Sequence, residues 1–381
     1  RKHMSEDGRT TETQTQCLAF GDGVNYEKWP GNPVLDGSML PAGGSHVDFR
    51  DPKVWREPDG SFRLVVGNRP ADGSGSVLLY RSADGIRWTL VGVVDASHSQ
   101  YGQMWECPDF FRLDGKQVLF VSPQEMSPIG LEFHAGNGTV CLIGSYDAEN
   151  NQFTRESVQA IDYGIDFYAP QTLETPDGRR IMVGWMQNWN TLSCKPRNCR
   201  WFGQMSIPRE LSIHDGRLYQ NPVRELEQYR CHPVSYRNVL LSGETSLNGV
   251  EGRTIDMTVE IRPAGRELYH CFRIHLAGDG EHVTSIRYRP DTSVLKIDRT
   301  RSGSNADVVH TRSLPVHPRD GRLKLRILMD RLSVEIFAND GETAASMAIF
   351  TRQEASAISF DAEGPVRMDV EKYDINMDQA H

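Results

Sequence analysis

The sequence of 381 residues has no long uninterrupted apolar segment and no excess of positive charge. No apolar run approaches the roughly 20 residues that a membrane-spanning helix needs, and the first residues lack the charged-then-apolar pattern of a signal peptide. The 42 basic and 51 acidic residues are spread evenly and leave a formal net charge of −9. This balance predicts no nucleic-acid partner and no membrane partner, and it favours a neutral small molecule or a glycan.

The sequence also lacks the cysteine patterns of disulfide-rich and zinc-binding proteins. Its seven cysteines are odd in number and irregularly spaced, so they do not predict a disulfide framework. Cys194 and Cys199 lie close together, but no second Cys or His pair follows them at the spacing of a zinc finger. We therefore predict free thiols and no metal site. Free thiols favour a reducing compartment, and we predict a cytoplasmic protein.

Three stretches of the chain are versions of one another. Each brings a polar or acidic residue to the neighbourhood of a proline, and each continues through apolar residues to an Asp-Gly turn and a second strand-like run. The stretches are Phe49-Arg50-Asp51-Pro52, Trp105-Glu106-Cys107-Pro108-Asp109 and Phe167-Tyr168-Ala169-Pro170-Gln171. Their prolines lie 56 and 62 residues apart, which predicts a repeat architecture. The repeat brings two carboxylates, Asp51 and Glu106, to equivalent points of neighbouring units, and we expect both to face one shared pocket.

Each repeat is long enough for four short strands, which is typical of the blades of a β-propeller. The first repeat predicts strands at Pro52 to Arg56, Phe62 to Gly67, Val77 to Ser82 and Trp88 to Val93, and the third repeat predicts its third strand at Gln204 to Ile213. The segment around Asp22-Gly23 matches only the outer two strands of a blade. We therefore expect that the chain begins in the middle of a blade and that the propeller is truncated at its N-terminus.

A different pattern follows the repeats. Ile255 to Ile261 and Leu323 to Ile327 alternate apolar and polar residues, as half-buried antiparallel strands do. Ser333 to Phe337 leads into Asn339-Asp340-Gly341, which is a hairpin signal. Helical periodicity is almost absent. We predict an all-β chain in which residues 1–226 form the propeller domain and residues 238–381 form a C-terminal β-sandwich.

The repeated motifs resemble glycoside hydrolase family 32, the β-fructofuranosidases, invertases and sucrose-6-phosphate hydrolases. The resemblance covers nearly the whole chain, because Pro208-Arg209-Glu210-Leu211 and Ser333-Val334-Glu335-Ile336-Phe337 also match, in the family's order. It implies a five-bladed β-propeller followed by a β-sandwich, which agrees with the repeat pattern. It also implies a glycosidase that cleaves terminal β-D-fructofuranosides, such as sucrose and fructo-oligosaccharides, with no metal and no organic cofactor.

The resemblance assigns catalytic roles to two residues of this sequence. Glu106 corresponds to the family's general acid and base, which must hold a proton that burial and a nearby carboxylate favour. Asp51 corresponds to the transition-state stabiliser, and we expect Arg50 to hold that carboxylate or a sugar hydroxyl. The family's nucleophile is an Asp in a Trp-Met-Asn-Asp-Pro-Asn-Gly stretch, which this sequence does not contain. We therefore expect the 381 residues alone to be inactive on sucrose.

Four further residues are candidates for contact with the sugar. Cys107 follows the predicted acid, Tyr168 and Gln171 open the third repeat, and Trp189 offers an indole face for stacking. Each also has a structural interpretation, as a packing residue of a strand or a loop. Asp109 is expected to be structural and to pair with Arg50 or with the backbone.

Three other functions remain compatible with the sequence. A fructosyltransferase uses the same covalent intermediate and differs only in the acceptor. A non-catalytic carbohydrate-binding protein, or a decayed fragment of an enzyme, would keep the propeller without the nucleophile. An inverting arabinan-type hydrolase shares the propeller, but the sandwich and the Glu-Cys-Pro motif argue against it. The sequence does not indicate an oligomeric state.

Overall fold

A computed structural model describes residues 2–4, 10–194, 201, 203–304 and 306–379, with only the backbone described for residues 2–4, 10–11 and 379. Cys199 lies outside the described residues. The chain divides into two compact units. The first contains residues up to 128 together with 135–159 and 169–171, and the second contains 129–134, 160–168 and the residues from 172 onward.

The chain is built from β-strands, and its helices are five short 3-10 turns among the described residues. These turns are Gly37–Met39, Trp189–Thr191, Arg224–Tyr229, Asn339–Gly341 and Met377–Gln379. None of the helices that the structure describes has the length and apolar character needed to cross a membrane.

Two short hairpins precede the repeats. Strands β1 (Lys2–Met4) and β2 (Thr10–Glu12) pair antiparallel, as do β3 (Ala19–Gly21) and β4 (Tyr26–Lys28). The second pair surrounds Asp22-Gly23, where the sequence predicted the outer strands of a blade. The carboxylate of Asp22 accepts hydrogen bonds from the backbone N–H groups of Val24 and Asn25, which closes the turn.

Each of the three repeats forms a four-stranded sheet whose strands are neighbours in chain order. The strands are β5 (Phe49–Arg56), β6 (Phe62–Asn68), β7 (Ser76–Ser82) and β8 (Thr89–Ala96); β9 (Met104–Leu113), β10 (Lys116–Gln124), β11 (Val140–Asp147) and β12 (Gln152–Ala160); and β13 (Tyr168–Glu174), β14 (Arg180–Trp185), β15 (Arg209–His214) and β16 (Arg217–Pro222). This is the predicted blade pattern, so the expectation of propeller blades is confirmed.

One predicted strand of the third repeat is shorter than expected. We predicted a strand from Gln204 to Ile213, but β15 begins at Arg209. Pro208 has no N–H to donate to a ladder. Before it, Met205 forms only an isolated bridge with Trp185.

The remaining strands form the two sheets of the predicted β-sandwich, both in the second unit. They are β17 (Arg230–Leu241), β18 (Ile255–Pro263), β19 (Cys271–Gly278), β20 (Thr284–Arg289), β21 (Val294–Asp298), β22 (Thr311–Pro315), β23 (Leu323–Asp330), β24 (Ser333–Ala338), β25 (Thr343–Ala348), β26 (Ala357–Glu363) and β27 (Val366–Ile375). The six-stranded sheet has the order β17-β27-β18-β23-β24-β25, and the five-stranded sheet has the order β22-β21-β20-β19-β26.

The alternation read from the sequence places the core of the sandwich. Met257, Val259 and Ile261 of β18 are buried, and so are Leu325 and Ile327 of β23. The two strands pair with Val259 opposite Leu325, so these side chains share one face of the sheet. The predicted turn at Asn339-Asp340-Gly341 joins β24 to β25, which pair antiparallel.

Candidate active site

The three repeat motifs share an unusual backbone conformation directly before their prolines. Asp51, Cys107 and Ala169 have φ values of 65°, 49° and 52°. Non-glycine residues rarely occupy this left-handed region, and a following proline restricts them further. In two of the motifs the ladder also contains an extra residue, between Arg50 and Lys53 in β5 and between Glu106 and Asp109 in β9. Such bulges re-aim side chains, so these two inner strands turn their motifs out of the regular pleat.

Glu106 is buried, and both of its carboxylate oxygens are hydrogen-bonded. Arg50 donates from Nε to Oε1 at 2.8 Å, and Gln124 donates from Nε2 to Oε2 at 2.8 Å. The preceding residue, Trp105, is fully buried, and its indole N–H donates to the carbonyl of Tyr101. A large buried side chain therefore lies beside the acid in the chain, and two donors fix the direction of the carboxylate.

Arg50 contacts Glu106, whereas the sequence suggested Asp51 or a sugar hydroxyl as its partner. Its Nη1 also donates to Asp48 at 2.6 Å. Burial alone would lower the pKa of Arg50, but the hydrogen bonds to Asp48 and Glu106 raise it above its ordinary value. The bulge after Arg50 explains the difference, because it turns Asp51 away from its chain neighbour and toward the adjacent sheet.

Asp51 binds the residue that follows Glu106. The backbone N–H of Cys107 donates to Oδ2 of Asp51 at 3.1 Å, and Sγ of Cys107 lies 3.6 Å from the same oxygen. Burial raises the pKa of the Cys107 thiol, and the carboxylates of Asp51 and Glu106 raise it further. The thiol therefore stays protonated at neutral pH. Both predicted carboxylates therefore lie close enough to the half-buried Cys107 to act on its thiol.

A second layer of polar contacts supports this pair. Lys53 lies 3.3 Å from Oδ2 of Asp109 and donates to Oε1 of Gln171 at 3.0 Å. The amide nitrogen of Gln171 donates to the carbonyl oxygen of Cys107 at 3.0 Å. Asp109 thus pairs with Lys53, a partner that the sequence did not predict, and it is buried, as a structural role requires. Both ends of the Gln171 amide are engaged, so this residue braces the Cys107 backbone.

Tyr168 and Trp189 belong to the second unit. Tyr168 begins β13 and is buried. Trp189 opens a 3-10 turn that Asn188 caps, and its side chain is 48% exposed. Its ring meets that of Trp185 edge to face, with 5.5 Å between centroids. An exposed indole supported by a second ring suits stacking on a sugar, and that role stays a prediction.

Sequence reasoning missed two residues of the cluster, Gln124 and Lys53. Gln124 ends β10, after a buried apolar run, and the ladder places it opposite Met104, at the start of the strand that carries Glu106. The sequence could have indicated Gln124, because it is a polar residue at the end of an apolar strand. Among the described residues, no group of three His, Cys, Asp or Glu side chains is placed to hold a metal ion.

Comparisons with known proteins agree with the motifs. The profile of the glycosyl hydrolases family 32 N-terminal domain matches residues 2–222, and the profile of the family 32 C-terminal domain matches residues 225–376. The chain is 35% identical to the raffinose invertase of Escherichia coli over 357 residues, which cover 91% of this chain and 69% of that protein. It is 31% identical to the sucrose-6-phosphate hydrolase of Staphylococcus xylosus, covering 99% of this chain and 74% of that protein.

A solved structure is similar as well. The family 32 β-fructofuranosidase of Bombyx mori superposes with a TM-score of 0.79 at 30% identity, covering 95% of this chain and 72% of that one. The sucrose-6-phosphate hydrolase of Lactobacillus gasseri superposes with a TM-score of 0.81 at 24% identity and shows the same fold. The two matching profiles, the relatives and the carboxylate motifs lead to one conclusion: the chain belongs to glycoside hydrolase family 32 and is a glycosidase of the β-fructofuranosidase type.

Proposed function

We propose that the protein cleaves terminal β-D-fructofuranosides, such as sucrose and fructo-oligosaccharides, with retention of configuration. One observation carries the proposal: the carboxylate of Glu106 is held by Arg50 and Gln124, while Asp51 binds the adjacent Cys107. Glycosidases typically use a pair of carboxyl groups in one site. The names of the relatives support the substrate class, and a variant of the Bombyx mori enzyme has been solved in complex with sucrose.

In this proposal Glu106 protonates the leaving oxygen and later activates water. Burial removes competing water from its carboxylate, and Arg50 and Gln124 hold its orientation. Asp51 stabilises the positively charged transition state through sugar hydroxyls. Its Oδ2 already accepts a hydrogen bond from the Cys107 backbone, so the carboxylate is oriented before substrate arrives.

Substrate binding is assigned to Arg50, Cys107, Tyr168, Gln171 and Trp189. Arg50 and Cys107 belong to the carboxylate cluster, and Gln171 acts through the Cys107 carbonyl that it binds. Trp189 supplies the exposed stacking face. The described cysteines are all free, which supports a cytoplasmic location. We further propose residues 1–226 as the catalytic propeller domain and 238–381 as the sandwich domain.

The printed sequence contains no Trp-Met-Asn-Asp-Pro-Asn-Gly stretch. A retaining glycosidase needs a carboxylate nucleophile about 5 to 5.5 Å from the acid, and neither Asp51 nor Asp109 lies in the family's nucleophile motif. We therefore propose that these 381 residues supply the acid/base and the stabiliser, and that by themselves they bind sucrose without turning it over.

The test combines calorimetry with an assay of fructose release from sucrose and from sucrose-6-phosphate. For the 381-residue chain we expect saturable binding, no measurable release, and loss of binding in Asp51→Ala. Where the reading frame also encodes the nucleophile stretch, the protein that includes it should release fructose. Glu106→Gln should then reduce kcat by about 10²- to 10⁴-fold and leave KM nearly unchanged.

Two outcomes would contradict these proposals. Turnover by the pure 381-residue chain that disappears in Glu106→Gln would show that the nucleophile lies within the printed residues. The fructosidase assignment would be overturned if no form of the protein either bound or cleaved these substrates. Product analysis at high sucrose concentration separates hydrolysis from fructosyl transfer, because only transfer yields longer oligosaccharides.

A further inference from the structure

The buried face of the five-stranded sheet carries basic residues near its edge. Leu295, Ile297 and Arg299 lie at alternate positions and are all buried. In the ladder Arg312 of β22 stands opposite Ile297, and the N–H of Arg299 donates to the carbonyl of His310. Residues opposite each other in a ladder share a face, so Arg299, His310 and Arg312 point to the same side of the sheet.

The charge of Arg299 is matched within the protein. Its Nη1 donates to Oδ2 of Asp166 and to the carbonyl of Ala348, and its Nη2 donates to the carbonyl of Val309 at 3.1 Å. The same Asp166 oxygen accepts the N–H of Ala348 at 2.8 Å. The negative charge of Asp166 is therefore balanced by the positive charge of Arg299.

Arg312 has no such match. Among the residues that the structure describes, it has no hydrogen-bond or ion-pair partner, and its Nε is buried. Burial lowers the pKa of Arg312. The negative charge of Asp166 raises this pKa by less, and the positive charge of Arg299 lowers it further. The Nε2 of His134 is likewise buried without a partner in the described part of the chain. Burial and the charge of Arg312 lower the pKa of His134 to about 4, which places the imidazole within the field of the guanidinium.

We propose that Arg312, together with Arg299 and His134, binds a phosphate group, either as the free ion or on a phosphorylated sugar. Two guanidinium groups face a single carboxylate, so the cluster has one uncompensated positive charge. A buried charge without a partner is costly, and an entering anion removes that cost. The guanidinium fork matches phosphate oxygens in pairs, and a neutral imidazole can donate a further N–H.

Arg209, in the same unit, shows the contacts of a buried arginine that has only a structural role. Arg209 is fully buried and is bonded to two carboxylates, Asp162 at 2.9 Å and Glu335 at 2.6 Å. No donor of that kind is left over around Arg209 for a ligand. Arg312 is the opposite case, since its residue is only partly exposed, its Nε is buried, and no described protein group accepts a hydrogen bond from its guanidinium. The proposal concerns the second unit alone and does not depend on the fructosidase assignment.

The test is titration of the 381-residue chain with inorganic phosphate and with glucose 6-phosphate, followed by calorimetry and thermal unfolding at fixed ionic strength. We expect a saturable rise in Tm with phosphate and at least a tenfold weaker affinity in Arg312→Gln. The control is Arg301→Gln, since Arg301 is exposed and donates to the carbonyl of Glu281. The control should bind phosphate as the unaltered chain does.

Further arms separate the two sources and guard against a folding defect. Tighter binding of glucose 6-phosphate than of phosphate identifies a phosphorylated sugar, and the reverse identifies the free ion. Arg312→Lys keeps the charge without the fork, and we expect it to fold and to bind phosphate more weakly than the unaltered chain. The proposal is overturned if the unaltered chain shows no saturable response, or if chloride at equal ionic strength produces the same one.

Discussion

Among individual side chains, the residues before the three motif prolines decide where the carboxylates point. Asp51, Cys107 and Ala169 all hold a left-handed backbone that costs roughly 1–3 kcal/mol each in a non-glycine residue. The surrounding contacts maintain this conformation. At Ala169, for example, the backbone N–H donates to Oγ of Ser122 at 3.1 Å. The same strained position recurs in all three repeats, and in the first two of them the motif also carries a carboxylate, Asp51 or Glu106.

Ala169 allows this strain to be measured without touching a carboxylate. In Ala169→Gly the left-handed conformation is relieved, while the unfolded chain gains freedom, so we expect a net gain in stability of about 1 kcal/mol. The midpoint of urea unfolding reports it. The control is Ala344→Gly, in a strand without positive φ, which should lose about 1 kcal/mol or more. A loss at both positions would show that Ala169 is not strained.

Cys107 reports the electrostatics of the same cluster. Its pKa is raised by burial and then by Asp51 and Glu106, so its thiol should react slowly with iodoacetamide at pH 8, while the exposed Cys17 reacts readily. In Asp51→Asn one carboxylate is lost, the pKa of Cys107 falls, and alkylation should accelerate about three- to tenfold. Mass spectrometry of the Cys107 peptide gives the rates. Asp48→Asn is the control, and an equal acceleration there would contradict the contact between Asp51 and Cys107.

Between strands, one buried ion cluster joins β15 to the six-stranded sheet of the second unit. Arg209 opens β15 and donates to Glu335 of β24, to Ser346 of β25 and to Asp162. Its guanidinium lies between the rings of Phe167 and Phe337, with centroids 4.6 and 5.0 Å away. Burial raises the pKa of Glu335, and the positive charge of Arg209 opposes that rise. The same guanidinium also donates a hydrogen bond to Asp162. One guanidinium thus keeps two buried carboxylates in place.

Removing that guanidinium should be costly. Arg209→Leu leaves Asp162 and Glu335 buried without their cation, and we expect a loss of about 3–5 kcal/mol in the free energy of unfolding. Chemical denaturation of the purified chain measures it. Arg224→Ala removes an exposed arginine that also pairs with a glutamate, Glu210, and should shift the denaturation midpoint far less than Arg209→Leu does, because solvent screens an exposed pair. Equal losses in the two variants would show that burial of the cluster does not matter.

The strands were predictable from the sequence, but several contacts between them were not. Alternation and Asp-Gly turns located most strands of the repeats and of the sandwich, because the two-residue period is a local property. The error at β15 arose because apolar residues before Pro208 continue the pattern although the proline ends the pairing. The contact of Arg50 with Glu106 was not predicted, since a bulge changes which side chains meet and leaves no trace in the two-residue period. Gln124 was missed for the same reason.

For the whole molecule, the pH dependence of stability depends less on the net charge of −9 than on a few titratable groups that folding removes from water. His134 is one of them. Its pKa is lowered to about 4 by burial and by Arg312, against an ordinary value of 6.5. The unfolded chain therefore takes up a proton at this residue at a higher pH than the folded chain does. The stability that follows from a neutral His134 is complete above pH 6.5 and is lost as the pH falls toward 4.

This difference predicts an acid-sensitive fold with an identifiable cause. At 1.36 kcal/mol per unit of pKa, protonation of His134 costs up to about 3 kcal/mol between pH 6.5 and 4. His134→Gln cannot titrate, so its urea midpoint should fall less over that interval than the midpoint of the unaltered chain. His317→Gln, at an exposed histidine, should keep the original pH dependence. If all three proteins lose stability in parallel, protonation of His134 does not govern the acid response, and the prediction is wrong.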